Sequence, residues 1–325
     1  MVKSFFNLIR WKNLLITGGL ILILKLVVFE TAIEQTISMS TAQFSIGQAL
    51  ILMFSLMFLA AAGYIINDIY DVKTDHINKP EKVVIGVSIS VKTGNILFYI
   101  CNIIGIGLGV YLGYQMGNYQ IGLLHGSVAM VFWIYSVYLK GTTLIGNIVI
   151  AFASSTVPLI YFGFEGYAYI QKYGDILVQN YGSHLGGPNE ILLNFCFILS
   201  VFAFILSLAR EIVKDIEDRK GDVATGAKTL PIAFGDNVAK RAVQFLIICC
   251  ISLVIWMIHF KIPNANFVNL FFLTYCYLTI LSPSVYLIVL LSKANRKEDY
   301  SKASLLLKFI MVSGISTTFI YASNV

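Results

Sequence analysis

The sequence predicts an all-α fold, a polytopic membrane bundle of nine transmembrane helices. Composition, long apolar runs and the placement of basic residues support this prediction. Apolar residues occupy 58% of the 325 positions, and charged residues occupy only 12%. Soluble globular chains average roughly 45–50% apolar and about 25% charged residues. We therefore expect lipid to be the main solvent of this chain.

Nine apolar runs are long enough to cross a bilayer, which takes about 20 apolar residues in a helix. They lie near residues 13–30, 46–66, 95–114, 120–139, 142–164, 190–209, 242–260, 266–292 and 303–323. Pro158 and Pro283 fall inside two of these runs, where proline is expected to kink a helix. No linker or low-complexity segment divides the chain, so residues 1–325 are predicted to form a single transmembrane domain.

Basic residues are concentrated in alternate loops of the nine-helix topology. The N-terminus and the second, fourth, sixth and eighth loops hold 19 Lys and Arg residues, whereas the opposite side holds only Lys172 and Lys261. This asymmetry fits the positive-inside rule with a cytoplasmic N-terminus. Topology accounts for the net charge of +6, so the charge indicates no nucleic-acid partner. Lysine-rich loops and the absence of an organelle-targeting pattern favour a prokaryotic plasma membrane.

Two acidic stretches interrupt the apolar pattern, each directly after a predicted membrane helix on the cytoplasmic side. The first runs from Asn67 to Asp75 and the second from Lys214 to Asp222. Both place their aspartates at positions i, i+3 and i+7, which fall on one face of a continuous helix. The aspartates are Asp68, Asp71 and Asp75 in the first motif, and Asp215, Asp218 and Asp222 in the second.

Three carboxylates on one helical face repel each other, so the arrangement is costly without a cation. Carboxylate oxygens suit Mg²⁺, which takes one or two carboxylates together with waters and substrate phosphates. We therefore predict that the six aspartates bind Mg²⁺ and that the two motifs face each other across one diphosphate. Asp68, Asp71, Asp215 and Asp218 are the expected catalytic residues. The simpler interpretation is two solvated faces with incidental acids, and the repeated spacing argues against it.

Polar residues near the cytoplasmic helix ends are candidates for substrate binding. Arg210 and Lys214 are four residues apart, on one helical face beside the second motif. Arginine can bind phosphate through two hydrogen bonds, and lysine binds it as a point charge. The same two residues also fit ordinary positive-inside flanking. The other candidates are Asn13, Asn67, Lys73, Tyr135, Lys140 and Asn147.

The two motifs read NDIYDVKTD from Asn67 and DIEDRKGD from Asp215, and they resemble the paired signatures of the UbiA superfamily of intramembrane prenyltransferases. The resemblance extends from Arg10-Trp11-Lys12-Asn13 to Lys228-Thr229-Leu230-Pro231, about three-quarters of the chain. Within the superfamily, residues 210–218 are most similar to the digeranylgeranylglyceryl phosphate synthases.

This resemblance implies a nine-helix bundle with a central cavity open to lipid. It also implies Mg²⁺-dependent transfer of a prenyl group, best matched by geranylgeranyl, from a prenyl diphosphate donor to a lipophilic acceptor. The acceptor best matched is geranylgeranylglyceryl phosphate, which would give an ether lipid.

Several alternatives remain open at this point. The acceptor can instead be an aromatic quinone precursor or a tetrapyrrole, and a UbiA-type terpene cyclase needs no acceptor. Outside the enzymes, a cation-coupled transporter is the alternative. Transport sites tend to lie near the bilayer midplane at interrupted helices, whereas these motifs lie in polar loops. The sequence does not indicate an oligomeric state.

Overall fold

The structure, a computed structural model, describes residues 2–33, 44–261 and 268–322. Helices dominate these ranges, and their only β-type pairing is one isolated bridge between Ile85 and Ile89. In chain order the helices are α1 (Val2–Leu8), α2 (Trp11–Ile23), α3 (Ile46–Tyr70), α4 (Val72–Asn78), α5 (Val91–Gln115), α6 (Tyr119–Ile134), α7 (Ile145–Ser155), α8 (Val157–Tyr181), α9 (Pro188–Glu217), α10 (Arg219–Ala224), α11 (Leu230–Phe234), α12 (Asp236–Lys261), α13 (Val268–Cys276), α14 (Ser282–Lys293) and α15 (Lys297–Ala322).

Three π-helical segments continue or join α-helices. α2 continues as the π-helical segment Leu24–Ile33, and α6 continues as Tyr135–Leu139. The π-helical segment Tyr277–Leu281 joins α13 to α14, whose second residue is Pro283. A helix is likewise interrupted at Thr156, just before Pro158 at the start of α8. Both prolines therefore lie at helix interruptions, as the sequence predicts.

The chain divides into two compact units. Unit 1 comprises Met1–Leu139 and Thr156–Ile198, and unit 2 comprises Lys140–Ser155 and Leu199–Val325. α9 begins in unit 1 and ends in unit 2. The single domain expected over residues 1–325 stays a prediction.

In unit 1, α3 packs along α5, α5 packs against α6, and α2 contacts α3 and α8. The contact between α5 and α6 is close because glycines line it. A Cβ added at Gly122 would lie 2.8 Å from the carbonyl oxygen of Gly109 and from the Cα of Val110. Small residues let membrane helices approach each other at backbone distance. Ser45 and Ser90 accept hydrogen bonds that cap the N-termini of α3 and α5.

Unit 2 has its own apolar core, formed mainly by α9, α12, α14 and α15. Leu206, Val243, Leu287 and Leu307 are fully buried in this core. Lys240 is also buried, and its ammonium donates a hydrogen bond to the Ala294 carbonyl at the end of α14 and lies over the Tyr300 ring. A buried ammonium is thus paired with acceptors rather than left in an apolar site.

Eight helical segments in the described ranges are long and apolar enough to cross a membrane. They are Trp11–Phe29, Ile46–Tyr70, Val91–Gln115, Tyr119–Leu139, Ile145–Tyr181, Asn189–Glu217, Asp236–Ile258 and Leu270–Lys293. The all-α polytopic membrane fold is therefore confirmed. The ninth predicted span, 303–323, lies on α15 and ends one residue beyond the described part of the chain, so the count of nine stays a prediction.

The predicted end of the fifth span at residue 164 is wrong, because α8 continues to Tyr181. Glu165 ends the apolar run in the sequence, yet its side chain is fully buried. Its Oε2 lies 3.3 Å from the Nζ of Lys25 and accepts a hydrogen bond from the Tyr161 hydroxyl at 2.7 Å. This ion pair allows a charged residue to occupy a helix of the membrane region.

Large apolar side chains cover much of the outer surface. Ile103 and Leu305 are 71% and 70% exposed, and Phe245 and Phe271 are also exposed. An apolar surface of this extent would be unstable in water. Contact with lipid hydrocarbon instead of water accounts for these exposed apolar side chains.

We expect Gly122→Ala to destabilise the fold by about 1–3 kcal/mol, because the added methyl group overpacks a backbone contact. Gly126→Ala on the same helix is the matched control, since no heavy atom lies within 4 Å of its added Cβ. Alanine is also the better helix former, by about 1 kcal/mol. Thermal unfolding in one detergent measures both variants, and equal midpoints for the two would contradict the close contact of α5 and α6.

Candidate active site

The first aspartate motif crosses the junction between α3 and α4. Asp71 separates the two helices, with φ −87° and ψ −5°. Backbone hydrogen bonds of the α-helical kind continue through the junction. The Asp71 N–H donates to the Asn67 carbonyl at 3.0 Å, and the Asp75 N–H donates to the Asp71 carbonyl at 2.8 Å. The two helices therefore meet at the middle aspartate without losing the helical hydrogen-bond pattern, and the expectation that the three aspartates share one helical face stays a prediction.

Side chains from α3 and from the start of α2 hold the first motif. The amide of Asn67 donates a hydrogen bond to Asp71 Oδ2 at 2.8 Å. Arg10 donates to Asp68 Oδ1 at 2.9 Å, and its guanidinium also stacks 4.7 Å from the centre of the Tyr64 ring. Asn13 donates to the Tyr64 hydroxyl at 3.3 Å. Two residues at the start of α2 thus reach the motif. Arg10, which precedes the helix, contacts it directly, and Asn13 reaches it through Tyr64.

The second motif has the same local structure at the junction between α9 and α10. Asp218 separates these helices, with φ −97° and ψ 6°. The Asp218 N–H donates to the Lys214 carbonyl at 2.8 Å, and the Asp222 N–H donates to the Asp218 carbonyl at 3.2 Å. Two distant stretches of the chain therefore share their spacing and also their backbone conformation at the middle aspartate.

An amide also holds the second motif. Asn147 of α7 donates a hydrogen bond to Asp215 Oδ2 at 2.7 Å. On the same helix as Asp215, Glu211 lies 2.6 Å from the Lys214 ammonium and 3.6 Å from the Arg210 guanidinium. Glu211 therefore keeps the two predicted phosphate-binding cations together beside the motif.

The neighbouring helices of unit 2 anchor the end of this motif. Ser301 of α15 donates a hydrogen bond to Glu217 at 2.6 Å. Arg219, directly after the junction, pairs with Asp236 of α12 at 2.9 Å. These contacts fix the short helix α10 to the longer helices around it.

The other predicted residues lie in varied environments. Lys73 and Lys140 are exposed, whereas Tyr135 is buried at the start of its π-helical segment. The residue after Lys140, Gly141, accepts a hydrogen bond from the Lys228 N–H at 2.7 Å. The structure therefore places Asn67 and Asn147 in direct contact with aspartates of their motifs.

The chemistry of both motifs fits a hard divalent cation. No three Asp, Glu, His or Cys side chains in residues 2–33, 44–261 and 268–322 form a cluster that could hold a metal ion without further ligands. Mg²⁺ does not need such a cage, because one or two carboxylates with waters and substrate phosphates satisfy it. Each motif offers carboxylate oxygens oriented by a neighbouring amide, which is the support that metal ligands usually receive.

Three residues of this site were not predicted as site residues. Arg10 appears in the sequence as one of the N-terminal positive charges, and nothing there indicates its contact with Asp68. Tyr64 lies within an apolar run, one helical turn before Asp68. Glu211 had a usable signal, because it lies three and four residues before Lys214 and Asp215, on the same helical face.

Comparison with known proteins identifies the family. The UbiA prenyltransferase family matches residues 36–312. Digeranylgeranylglyceryl phosphate synthase of Methanobrevibacter smithii is 31% identical over 261 residues, which cover 79% of this chain and 83% of the relative.

Solved structures share the fold over nearly the whole length. A solved structure described as that of digeranylgeranylglyceryl phosphate synthase in membranes superposes on this chain with a TM-score of 0.60. The two chains are 24% identical, and the match covers 98% of each. A UbiA homolog from Archaeoglobus fulgidus, solved with DMAPP and Mg²⁺, superposes with a TM-score of 0.57 and 14% identity, over 97% of this chain and 99% of the other. With its two aspartate junctions, its membrane helices and a family match over most of its length, the chain belongs to the UbiA prenyltransferase family of integral membrane enzymes.

Proposed function

We propose that this chain transfers a geranylgeranyl group from geranylgeranyl diphosphate to the free hydroxyl of geranylgeranylglyceryl phosphate, with Mg²⁺ as cofactor. The observation that carries the proposal is the repeated local structure of the two motifs. In each motif an aspartate lies between a long membrane helix and a short polar helix, with one carboxylate about a turn before it and another about a turn after it. Such junctions offer hard oxygen ligands at a helix end, where the charged head of a prenyl diphosphate can leave the lipid.

The relatives support the choice of donor and acceptor. The M. smithii relative is named digeranylgeranylglyceryl phosphate synthase, and the A. fulgidus homolog holds DMAPP and Mg²⁺. An acceptor that carries its own phosphate also accounts for the two cations, Arg210 and Lys214, beside the second motif. The positive-inside distribution supports a cytoplasmic N-terminus and cytoplasmic motifs in a prokaryotic plasma membrane.

In the proposed site the six motif aspartates would hold Mg²⁺, which when bound would supply stabilisation of the negative charge that develops on the diphosphate leaving group. The residues are Asp68, Asp71, Asp75, Asp215, Asp218 and Asp222. Asn67 and Asn147 orient these carboxylates, since each donates one amide hydrogen bond to a motif oxygen. Orientation by an outer hydrogen bond raises the affinity of a ligand for its metal.

The proposed reaction exchanges one C–O bond for another. The bond between the allylic carbon and the diphosphate oxygen breaks, and the diphosphate leaves with the electron pair. The acceptor hydroxyl oxygen then forms a bond to the allylic carbon and loses its proton. The departing diphosphate and an aspartate outside the metal sphere are the two candidate bases for that proton.

Cationic and polar side chains bind the phosphate groups in this proposal. Lys73, Arg210 and Lys214 contact phosphate oxygens, and Glu211 holds the last two cations in place. Asn13, Tyr135 and Lys140 complete the set of substrate-binding residues. The isoprenoid chain lies among apolar and aromatic side chains of the membrane helices, which exclude water and can stabilise an allylic cation.

Product analysis tests the proposed function. Purified protein is incubated with Mg²⁺ and prenyl diphosphates of several lengths, with geranylgeranylglyceryl phosphate, an aromatic quinone precursor, a tetrapyrrole or no acceptor. We expect mass spectrometry to find the ether lipid from geranylgeranyl diphosphate and geranylgeranylglyceryl phosphate. A prenylated aromatic ring, a prenylated tetrapyrrole or a cyclised terpene as the main product would overturn the proposed acceptor. Cation flux into proteoliposomes without prenyl transfer would overturn the proposed enzymatic function.

Asp68→Ala and Asp215→Ala are each expected to lower the turnover by at least about 100-fold, because each removes a carboxylate from the metal and diphosphate site. Incorporation of radiolabelled geranylgeranyl diphosphate measures the effect. Asp175→Asn is the matched control, since Asp175 is exposed on α8 and lies outside both motifs. Wild-type turnover in either alanine variant, with the protein folded in membranes, would remove that aspartate from the site.

Asn147→Leu is expected to raise the Mg²⁺ concentration needed for half-maximal activity by about 10–100-fold, as is typical when the hydrogen-bond partner of a metal ligand is lost. The leucine preserves the approximate volume but removes the donor to Asp215. Asn95→Ala is the control, because the Asn95 amide is exposed and donates only within its own helix, to Val91. A Mg²⁺ dependence equal to that of the wild type would contradict the orienting role of Asn147.

A further inference from the structure

Unit 1 contains an ion pair that the proposed reaction does not use. Lys25 follows α2 and Glu165 lies on α8, and their side chains are 1% and 0% exposed. Ionisable residues within membrane helices are costly and commonly functional. We propose that this pair fixes the rotation and depth of the first membrane helix and thereby holds Arg10 against Asp68. Lys25 and Glu165 are then positioning residues. This inference rests on the proposed function only in taking Asp68 as an active-site residue.

The pair is held in one orientation from several directions. Besides the 3.3 Å contact between Lys25 Nζ and Glu165 Oε2, the Tyr161 hydroxyl donates to the same oxygen at 2.7 Å. The Lys25 ammonium lies 5.3 Å from the centre of the Phe29 ring, which makes an edge contact with Tyr169 at 6.1 Å. Residues 25 and 29 face residues 161, 165 and 169, and both sets recur every four positions along one helical face. Only one rotation of the first helix satisfies all these contacts.

The rest of the first membrane helix packs mainly through apolar contacts, with Leu14, Gly18 and Ile21 buried. α2 begins after Arg10, which has a left-handed φ of 50°, and no side chain caps this N-terminus. Most side chains from Trp11 to Ile23 are apolar, and lipid tails are as apolar as leucine, so lipid does not drive one helical face towards the protein. A shift of register by one residue turns a helix by about 100°. Such a turn would carry the Lys25 ammonium away from Glu165.

The contact between Arg10 and Asp68 is only partly buried, so it constrains the helix less than a fully buried pair does. Its atoms are 2.9 Å apart, but the two side chains are 35% and 18% exposed. Exposed ion pairs contribute little to stability, whereas breaking a buried pair leaves an uncompensated charge. Arg10 directly precedes α2, and Lys25 lies in the π-helical segment that continues α2, about 22 Å away at about 1.5 Å per residue. The fully buried pair therefore sets the position of the partly buried one.

A distance measurement tests the position directly, without substrate. Spin labels are attached at Lys12→Cys, beside Arg10, and at His76→Cys on α4, with the half-buried Cys249 replaced by alanine. Electron paramagnetic resonance then compares the native pair with Lys25→Met/Glu165→Gln, which removes both charges at similar volume. We expect the label distance to shift or broaden by about 3 Å or more, equivalent to two residues of helical rise. The charge-swapped variant Lys25→Glu/Glu165→Lys is expected to restore a narrow distribution.

A second label pair serves as the matched control for this measurement. Labels at Lys92→Cys on α5 and at His76→Cys report on unit 1 without touching the first helix, so their distance should not change. An unchanged distance between residues 12 and 76 in the neutral variant would overturn the inference. Equal changes for both label pairs would also overturn it, since they would indicate a general loosening of unit 1.

A kinetic cycle then tests whether the pair acts through Arg10. In the native background, Lys25→Met/Glu165→Gln is expected to lower kcat/KM by about tenfold or more, because small displacements of catalytic groups are costly. In the Arg10→Ala background the same change should have less than about a twofold effect, since the group being positioned is already absent. Lys240→Met removes a buried ammonium in unit 2 and is the control. Its effect should be the same in both backgrounds.

An equal loss of kcat/KM for the neutral pair in both backgrounds would overturn positioning through Arg10. A wild-type protein that transfers no prenyl group would instead contradict the proposed function. The label distances would still test the role of Lys25 and Glu165 in that case, so the two failures are distinguishable.

Discussion

The cost of placing a charge in lipid governs how this chain arranges its ionisable groups. Apolar side chains cover much of the described surface, and several charged residues at or within the membrane helices have partners from distant parts of the chain. These contacts join Lys25 to Glu165, Arg10 to Asp68 and Asn147 to Asp215. Because each contact links two different helices, satisfying the charges also fixes which helices meet and in which rotation. The same requirement therefore also orients a carboxylate in each of the two aspartate motifs.

Most of the fold can be predicted from the sequence, because a long apolar run in lipid must form a helix to satisfy its backbone. Eight of the predicted spans fall on segments that can cross a membrane. The end of the fifth span could not be predicted in this way. Glu165 ends the apolar run, and its burial depends on Lys25, a residue 140 positions earlier in the chain. Hydropathy is a property of neighbouring residues, so it carries no information about a partner at that separation.

The candidate site was predictable in its carboxylates and much less so in its partners. The repeated spacing of the aspartates identifies both motifs, and their family confirms that the chain is a prenyltransferase. The helix junction at the middle aspartate and the contact of Arg10 with Asp68 were missed. The first is a local change in backbone dihedral angles that residue spacing does not report, and the second joins residues 58 positions apart. Asn147 was predicted to bind substrate, and its contact is with Asp215 across 68 positions.

The separation of Lys25 from Glu165 has a consequence for biosynthesis. A ribosome completes the first membrane helix long before it reaches α8, so Lys25 enters the bilayer before Glu165, its partner in the folded chain. A lysine at the centre of an inserting helix costs about 2.5–3.5 kcal/mol. Keeping that ammonium near water or lipid head groups until α8 is inserted lowers this cost. Final docking of the N-terminal helix, and of the arginine at its start, is thus a late event in the assembly of this enzyme.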